Sequence, residues 1–146
     1  MGQRVLGIDH GERRIGLAIS DATRTLARPL TTLTVTGAGH AVARVVDEID
    51  RLAAEEDGLA AIVVGLPARL DGSPNDQTPR VVAFIEALAA RTSLPIVRVD
   101  ERLSSHEADS RLRASERDWK RRKERLDAAA AAVVLQDYLD HEAGRT

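Results

Sequence analysis

The order in which apolar runs and amphipathic stretches follow one another is what most constrains the fold of this chain. In the second half they alternate. Val42, Val45, Val46, Ile49, Leu52 and Ala53 recur at the i, i+3, i+4, i+7 spacing of an amphipathic helix, and Asp57-Gly58 ends it. Ala60 to Gly65, with Ile62-Val63-Val64 at its centre, reads as a buried strand. A helix is predicted from about Asn75 to Ala90, burying Val81, Ile85 and Leu88, and Pro95 to Asp100 reads as another strand. Strands that alternate with helices in this way imply parallel pairing through helical crossovers.

The first half is different. Arg4 to Asp9 reads as a buried strand built on Val5-Leu6-Gly7-Ile8 and closed by an acid. Asp9-His10-Gly11-Glu12-Arg13 reads as a turn, because Gly11 tolerates positive φ. Ile15 to Ser20 then returns as the second arm of a hairpin, and the Thr-rich stretch Leu26 to Val35 favours a third strand before Gly37-Ala38-Gly39 breaks the chain. Toward the C-terminus, Ser104 and Glu107 have the spacing of a capping box at a helix start. Arg111 to Arg125 is highly charged, and Leu126 to Leu139 reads as a final alanine-rich helix. A meander of strands joined to strand–helix units gives a mixed α/β sheet.

A chain of 146 residues suits one domain, taken as 1–146, large enough to bury roughly 68–70% of its unfolded surface. Its aromatics are only Phe84, Trp119 and Tyr138, so the core must be aliphatic. No aromatic platform exists for stacking bases, which argues against RRM and OB-type single-strand binders. The absence of cysteine removes thiolate metal sites and fits a reducing, cytoplasmic setting. The N-terminus turns acidic at Asp9 before a signal-type apolar region could form, and the longest apolar run, Ala128 to Leu135, is far short of the ~20 residues that span a bilayer. With a formal net charge of −2, any affinity for a polyanion must come from local basic patches.

Carboxylates stand at the ends of elements. Asp9 closes the first strand, Asp100 and Glu101 close the last, and Asp127 falls in the first turn of the final helix. Each has an ordinary structural reading: a turn residue, a surface charge, a helix N-cap or dipole partner. Asp127, however, shares a helical face with Ala130, Ala131, Val134 and Tyr138, and a carboxylate entering an apolar face is costly unless it is paired or binds metal. Carboxylate oxygens suit Mg²⁺ or Mn²⁺, and two such ions can drive phosphodiester cleavage. His10, His40, His106 and His141 are scattered and show no zinc spacing; His10 reads as a solvated turn histidine. Lys120-Arg121-Arg122-Lys123-Glu124-Arg125 before Asp127, with Arg13-Arg14 beside Asp9, is placed for phosphate contact, although a charge run of this kind can equally be a solvated helical face.

Four segments, in order, resemble the motifs of the YqgF/RuvX family: Leu6-Gly7-Ile8-Asp9-His10-Gly11-Glu12-Arg13-Arg14-Ile15-Gly16 continuing to Asp21; Ile62-Val63-Val64-Gly65-Leu66-Pro67 with Asp71-Gly72-Ser73; Asp100-Glu101-Arg102-Leu103-Ser104-Ser105; and Asp127-Ala128-Ala129-Ala130-Ala131 running into Val134-Leu135-Gln136-Asp137-Tyr138-Leu139. The resemblance implies an RNase H-like fold, a five-stranded mixed sheet flanked by helices. It also implies a nuclease that processes pre-16S ribosomal RNA or, alternatively, resolves Holliday junctions in branched DNA. Carried onto this chain, the catalytic and metal-binding acids are Asp9, Glu101 and Asp127, with Mg²⁺ or Mn²⁺ as cofactor. Strand alternation puts Glu101 on one face with Val97 and Val99 and Asp100 on the other, which favours Glu101 as ligand. Arg13, Arg14, Arg121, Arg122 and Lys123 are the expected nucleic-acid contacts, and a monomer or weak dimer is the expected assembly. An actin-like ATPase or sugar kinase also places Asp-x-Gly after a strand, but needs two large lobes that 146 residues do not supply. A non-catalytic binder would have no use for acids that repel phosphate.

Overall fold

The computed structural model describes residues 2–67, 71, 73–100 and 119–144, with backbone alone for 119–124. Its strands are β1 (Arg4–His10), β2 (Arg14–Ser20), β3 (Ala27–Thr34), β4 (Leu59–Leu66) and β5 (Ile96–Asp100), and its helices are α1 (Ala38–Ala53), α2 (Thr78–Ala89) and α3 (Trp119–Ala143). The strands form one sheet in the order β3-β2-β1-β4-β5. The β1–β2 and β2–β3 pairs are antiparallel, whereas β1–β4 and β4–β5 are parallel. The expected mixed sheet is therefore present, with the meander on one side and the crossover units on the other.

Both faces of the sheet are covered, and the alternation of side chains along each strand separates two cores. Leu6, Ile8, Ile15, Leu17, Ile19, Ile62 and Val64 point to one face and meet Val42, Val45, Ile49 and Leu52 of α1 and Val81, Phe84, Ile85 and Leu88 of α2. Val5, Ala18, Ala61 and Val63 point to the other and meet Ala131, Val134, Leu135 and Leu139 of α3, with Val97 and Val99 packed alongside. The central strands are apolar on both sides because both sides are buried.

Several boundaries differ from the sequence expectation. α2 begins at Thr78 rather than Asn75, because Asn75 makes the turn before it: its Oδ1 accepts from the backbone N–H groups of Gln77 and Thr78 at 2.9 and 3.0 Å. α3 begins at Trp119, so the basic residues before Leu126 have helical backbone. Asp127 consequently lies more than two turns inside the helix instead of in its first turn, beyond the reach of an N-cap or first-turn dipole role. In the β1–β2 hairpin Gly11 does not use positive φ; a Cβ there would lie 2.4 Å from the Arg14 carbonyl oxygen, so close backbone approach is what demands glycine. The capping-box pair Ser104 and Glu107 lies outside the described residues.

Candidate active site

Asp9 is the sixth-position acid of β1, and alternation with Val5 and Gly7 puts its side chain on the α3 face. Its partner across the β1–β2 ladder is Gly16. That glycine fixes the site. A Cβ built on Gly16 would fall 1.9 Å from the Asp127 carbonyl oxygen, and one on Gly7 would fall 2.8 Å from the Leu135 Cβ. Two glycines on adjacent strands thus let α3 lie directly on the sheet, with the backbone of Asp127 over Gly16 and beside Asp9. Both acids are half-buried. They are remote in sequence and come from unrelated elements, and the close packing of α3 brings them together.

Arg14 enters the same place. It is the first residue of β2 and shares the face of Gly16 and Ala18. Its Nε donates to Asp127 Oδ2 at 2.6 Å, a short charge-assisted bond with both side chains partly shielded from solvent. The sequence expectation had Arg14 turned toward nucleic acid; the structure turns its Nε toward a carboxylate. Arg13, one residue earlier, is exposed at the hairpin.

At the far strand, Asp100 pairs with Leu66 at the end of β5 and is exposed. It alternates with Val97 and Val99, which pack toward α3, so its own side chain leaves on the opposite face. Glu101 lies outside the described residues. Because β4 separates β1 from β5, the C-terminal ends of β1, β4 and β5 share one edge, with Asp9 and Asp100 two strand spacings apart, roughly 10 Å. Among the described residues no group of three or more His, Cys, Asp or Glu side chains is close enough to hold a metal ion. The donor set at Asp9 and Asp127 nonetheless fits a hard cation, since Mg²⁺ is commonly held by one or two carboxylates together with substrate phosphates. Arg121, Arg122 and Lys123 fall in the opening turns of α3, on the helix that carries Asp127.

Gln136 is a further anchor. Its Oε1 accepts from the Ala27 N–H at 2.9 Å while its Nε2 donates to the Thr25 carbonyl at 2.9 Å, tying α3 to the start of β3. Sequence reasoning passed over Gly7, Gly16 and Gln136. The glycines did carry a signal, since a glycine within an apolar strand marks a bulge or a close approach.

His10, next to Asp9 in the chain, goes to the other face. Its ring lies 4.6 Å from that of Phe84, and burial lowers its pKa, assisted by the nearby Arg80 charge and opposed by its own backbone hydrogen bond. It is not the solvated turn histidine expected. It lines a cleft of about 700 Å³ between α1 and α2, walled by Val42, Ala83, Phe84 and Ala87. That cleft is mainly apolar, with Glu12, Arg80 and Arg91 also lining it, and lies on the sheet face opposite Asp9 and Asp127.

The chain matches the RuvX family, described as Holliday junction resolvase, over residues 3–141. This chain belongs to the RuvX family. A protein of Chloroflexus aggregans named as a candidate pre-16S rRNA nuclease is 43% identical over 138 residues, covering 94% of each chain. One of Burkholderia ambifaria with the same name is 40% identical, covering 93% of this chain and 88% of its own. Among solved structures, the Thermus thermophilus RuvC bound to a Holliday junction superposes with a TM-score of 0.55 at 17% identity, over 97% of this chain and 96% of RuvC. That likeness establishes the RNase H-like fold. The RuvX match spans Asp9, Arg14, Gly16 and Asp127 alike. Among the described residues no helix is long and apolar enough to cross a membrane.

Proposed function

We propose that this RuvX protein is a metal-dependent endonuclease that processes the 5′ end of pre-16S ribosomal RNA in the cytoplasm, acting as a single domain over 1–146 and as a monomer or weak dimer. The observation that carries the reading is the convergence of Asp9 and Asp127 over Gly16. The relatives' names supply the substrate.

Asp9 and Asp127 are the proposed ligands of Mg²⁺ or Mn²⁺, and Glu101, the residue after Asp100, is the proposed third. The support for Glu101 over Asp100 is alternation: continuing the period of Val97 and Val99 leads to the α3 face. Divalent cations there would supply a water activated for attack on phosphorus and charge stabilisation at the leaving oxygen. The chain's own tasks are positional. α3, seated on Gly7 and Gly16, holds Asp127 against the sheet. β1 presents Asp9 at the edge where the parallel strands end, the usual ligand crevice of such sheets. Arg13 at the hairpin and Arg121, Arg122 and Lys123 on α3 are the proposed phosphate contacts, which local placement permits in a chain of net charge −2.

A second reading, cleavage of branched DNA, is favoured by the description of the family as Holliday junction resolvase. A resolvase working on a two-fold symmetric junction would be a dimer. The test is incubation of the pure protein with labelled precursor 16S rRNA and, separately, with a four-way DNA junction, in Mg²⁺ and in Mn²⁺, beside Asp9→Asn. Cleavage of the rRNA that Asp9→Asn lacks is the expected result. Cleavage of the junction alone transfers the assignment to the second reading, and cleavage of neither overturns both.

A further inference from the structure

We infer that Arg14 is a positioning residue acting through Asp127: it is the carboxylate's counter-ion in the cation-free protein and competes with the cation for it. This rests on the proposal that Asp9 and Asp127 hold a divalent cation. The geometry is specific. Arg14 Nε lies 2.6 Å from Asp127 Oδ2, across a sequence separation of 113 residues. β2 delivers the guanidinium to that point, because Arg14 sits two residues before Gly16, on whose bare backbone the Asp127 peptide rests. The side chains are 35% and 24% exposed, so solvent screens the pair only in part.

The charge arrangement sets the direction of the effect. Two carboxylates brought together by α3 repel each other, and a cation relieves that repulsion. In the cation-free protein Arg14 is a fixed cation already bonded to Asp127. Once a divalent ion binds Asp127, the same guanidinium becomes a like charge close to it. Arg14 therefore stabilises the cation-free protein and weakens cation binding. It holds the Asp127 carboxylate at Oδ2. The role differs from that of exposed Arg13, one residue away.

The test uses the full chain without nucleic acid, with Mn²⁺ as the probe, measured by calorimetry and by thermal melting in chelator and in saturating Mn²⁺. Arg14→Gln, which keeps a hydrogen-bond donor and removes the charge, is expected to bind Mn²⁺ about tenfold more tightly, the scale of a unit charge ~5 Å from a divalent ion near water's dielectric. Its Tm should fall in chelator and recover toward wild type in Mn²⁺. Arg14→Lys, which restores the charge, should return the affinity to within about twofold of wild type. Arg14→Met keeps the apolar stem and serves as the second neutral variant if Arg14→Gln folds poorly. A merely structural arginine would lower Tm equally in both conditions and leave affinity unchanged. Unchanged or weaker Mn²⁺ binding in the neutral variants, with Asp127→Asn losing it, overturns the inference and spares the site. Wild-type Mn²⁺ binding by Asp127→Asn overturns the site itself, and the inference with it.

Discussion

Asp9 and His10 are adjacent in β1, yet the pleat sends them to opposite faces of the sheet and into opposite environments. On the α3 face, glycines at 7 and 16 remove side chains so that a helix can come close, and what gathers there is charge: Asp9, Asp127 and Arg14. On the α1–α2 face the strands carry full-sized aliphatic residues, and a cleft is left that His10 and Phe84 line with rings tilted against each other. The cleft lies on the second face and the gathered charge on the first. An open edge that is to hold an extended polyanion needs its carboxylates fixed in place, and the close seating of α3 on Gly7 and Gly16 fixes Asp127.

The contrast between the faces is broken most directly at the acids. Asp9→Asn and Asp127→Asn should each lower cleavage by about a thousandfold or more, the scale of losing several kcal/mol of metal-derived stabilisation, with the fold retained. Glu101→Gln should cost more rate than Asp100→Asn, and single-turnover kinetics on the two variants decide between them. A greater loss in Asp100→Asn would move the third ligand to the face opposite α3 and undo the idea of a single charged face.

A matched pair of core substitutions sharpens the difference. Gly16→Ala drives a methyl group into the Asp127 backbone and should destabilise by about 3 kcal/mol, the upper end of ordinary overpacking. Phe84→Ala empties the other core and should cost ~3–5 kcal/mol. Although the second variant is the less stable, only the first should lose Mn²⁺ affinity, because only the first displaces Asp127. Equal loss of affinity in both would mean that the site depends on global stability and not on local seating.

Next in size is the hold on substrate. Changing Arg121 and Arg122 together to Ala should weaken nucleic-acid binding and reduce the slope of log affinity against log salt by roughly one to two units, since each phosphate contact contributes about 0.7 on single strands and 0.9 on duplex. The measurement is binding over a salt series with Ca²⁺ suppressing cleavage. An unchanged slope would assign the start of α3 to solvent and leave Arg13 as the binding side.

These elements were not equally legible in the chain. Apolar runs and periodicity located four of the five described strands and the first two helices, because each buries a face whose spacing is written in Val, Ile, Leu and Ala, and Thr content located β3. These signals missed the start of α3, because Trp119 to Arg125 carries no apolar stripe to register; the abundance of Lys, Arg and Glu, all good helix formers, was the available cue. That error of two turns is what left an N-cap reading of Asp127 open beside the metal-ligand one. The acids were singled out by a reading that put them at element ends and by family resemblance; Asp9 does stand near the end of β1, whereas Asp127 stands inside α3. Their convergence could not be read locally, since it depends on which strands neighbour β1 and on how near α3 comes, and the Arg14–Asp127 bond joins residues 113 apart. His10 was misjudged because the turn expected from Asp9 begins two residues later, at Gly11, which leaves His10 within β1 and gives it a buried side.

The smallest expected effect belongs to that histidine and tests the second face alone. Burial against Phe84 disfavours the imidazolium, so the folded pKa of His10 lies below its ordinary value of 6.5, with Arg80 acting in the same direction. The unfolded chain then takes up its proton first as pH falls. A group whose folded pKa is depressed adds stability that is present above the unfolded pKa and lost as pH falls through the folded one. The protein should therefore lose stability from about pH 6.5 downward, before most carboxylates begin to titrate. His10→Phe keeps a ring against Phe84 and removes the proton site, so its Tm should be flatter between pH 7.5 and 5.5 than that of wild type. The melts are run in chelator, so that changes in cation binding by the neighbouring Asp9 do not enter. Parallel Tm profiles for the two proteins would show that the ring is not desolvated by Phe84. The cleft between α1 and α2 would then be wetter than its apolar walls imply, and the two faces of the sheet less unlike.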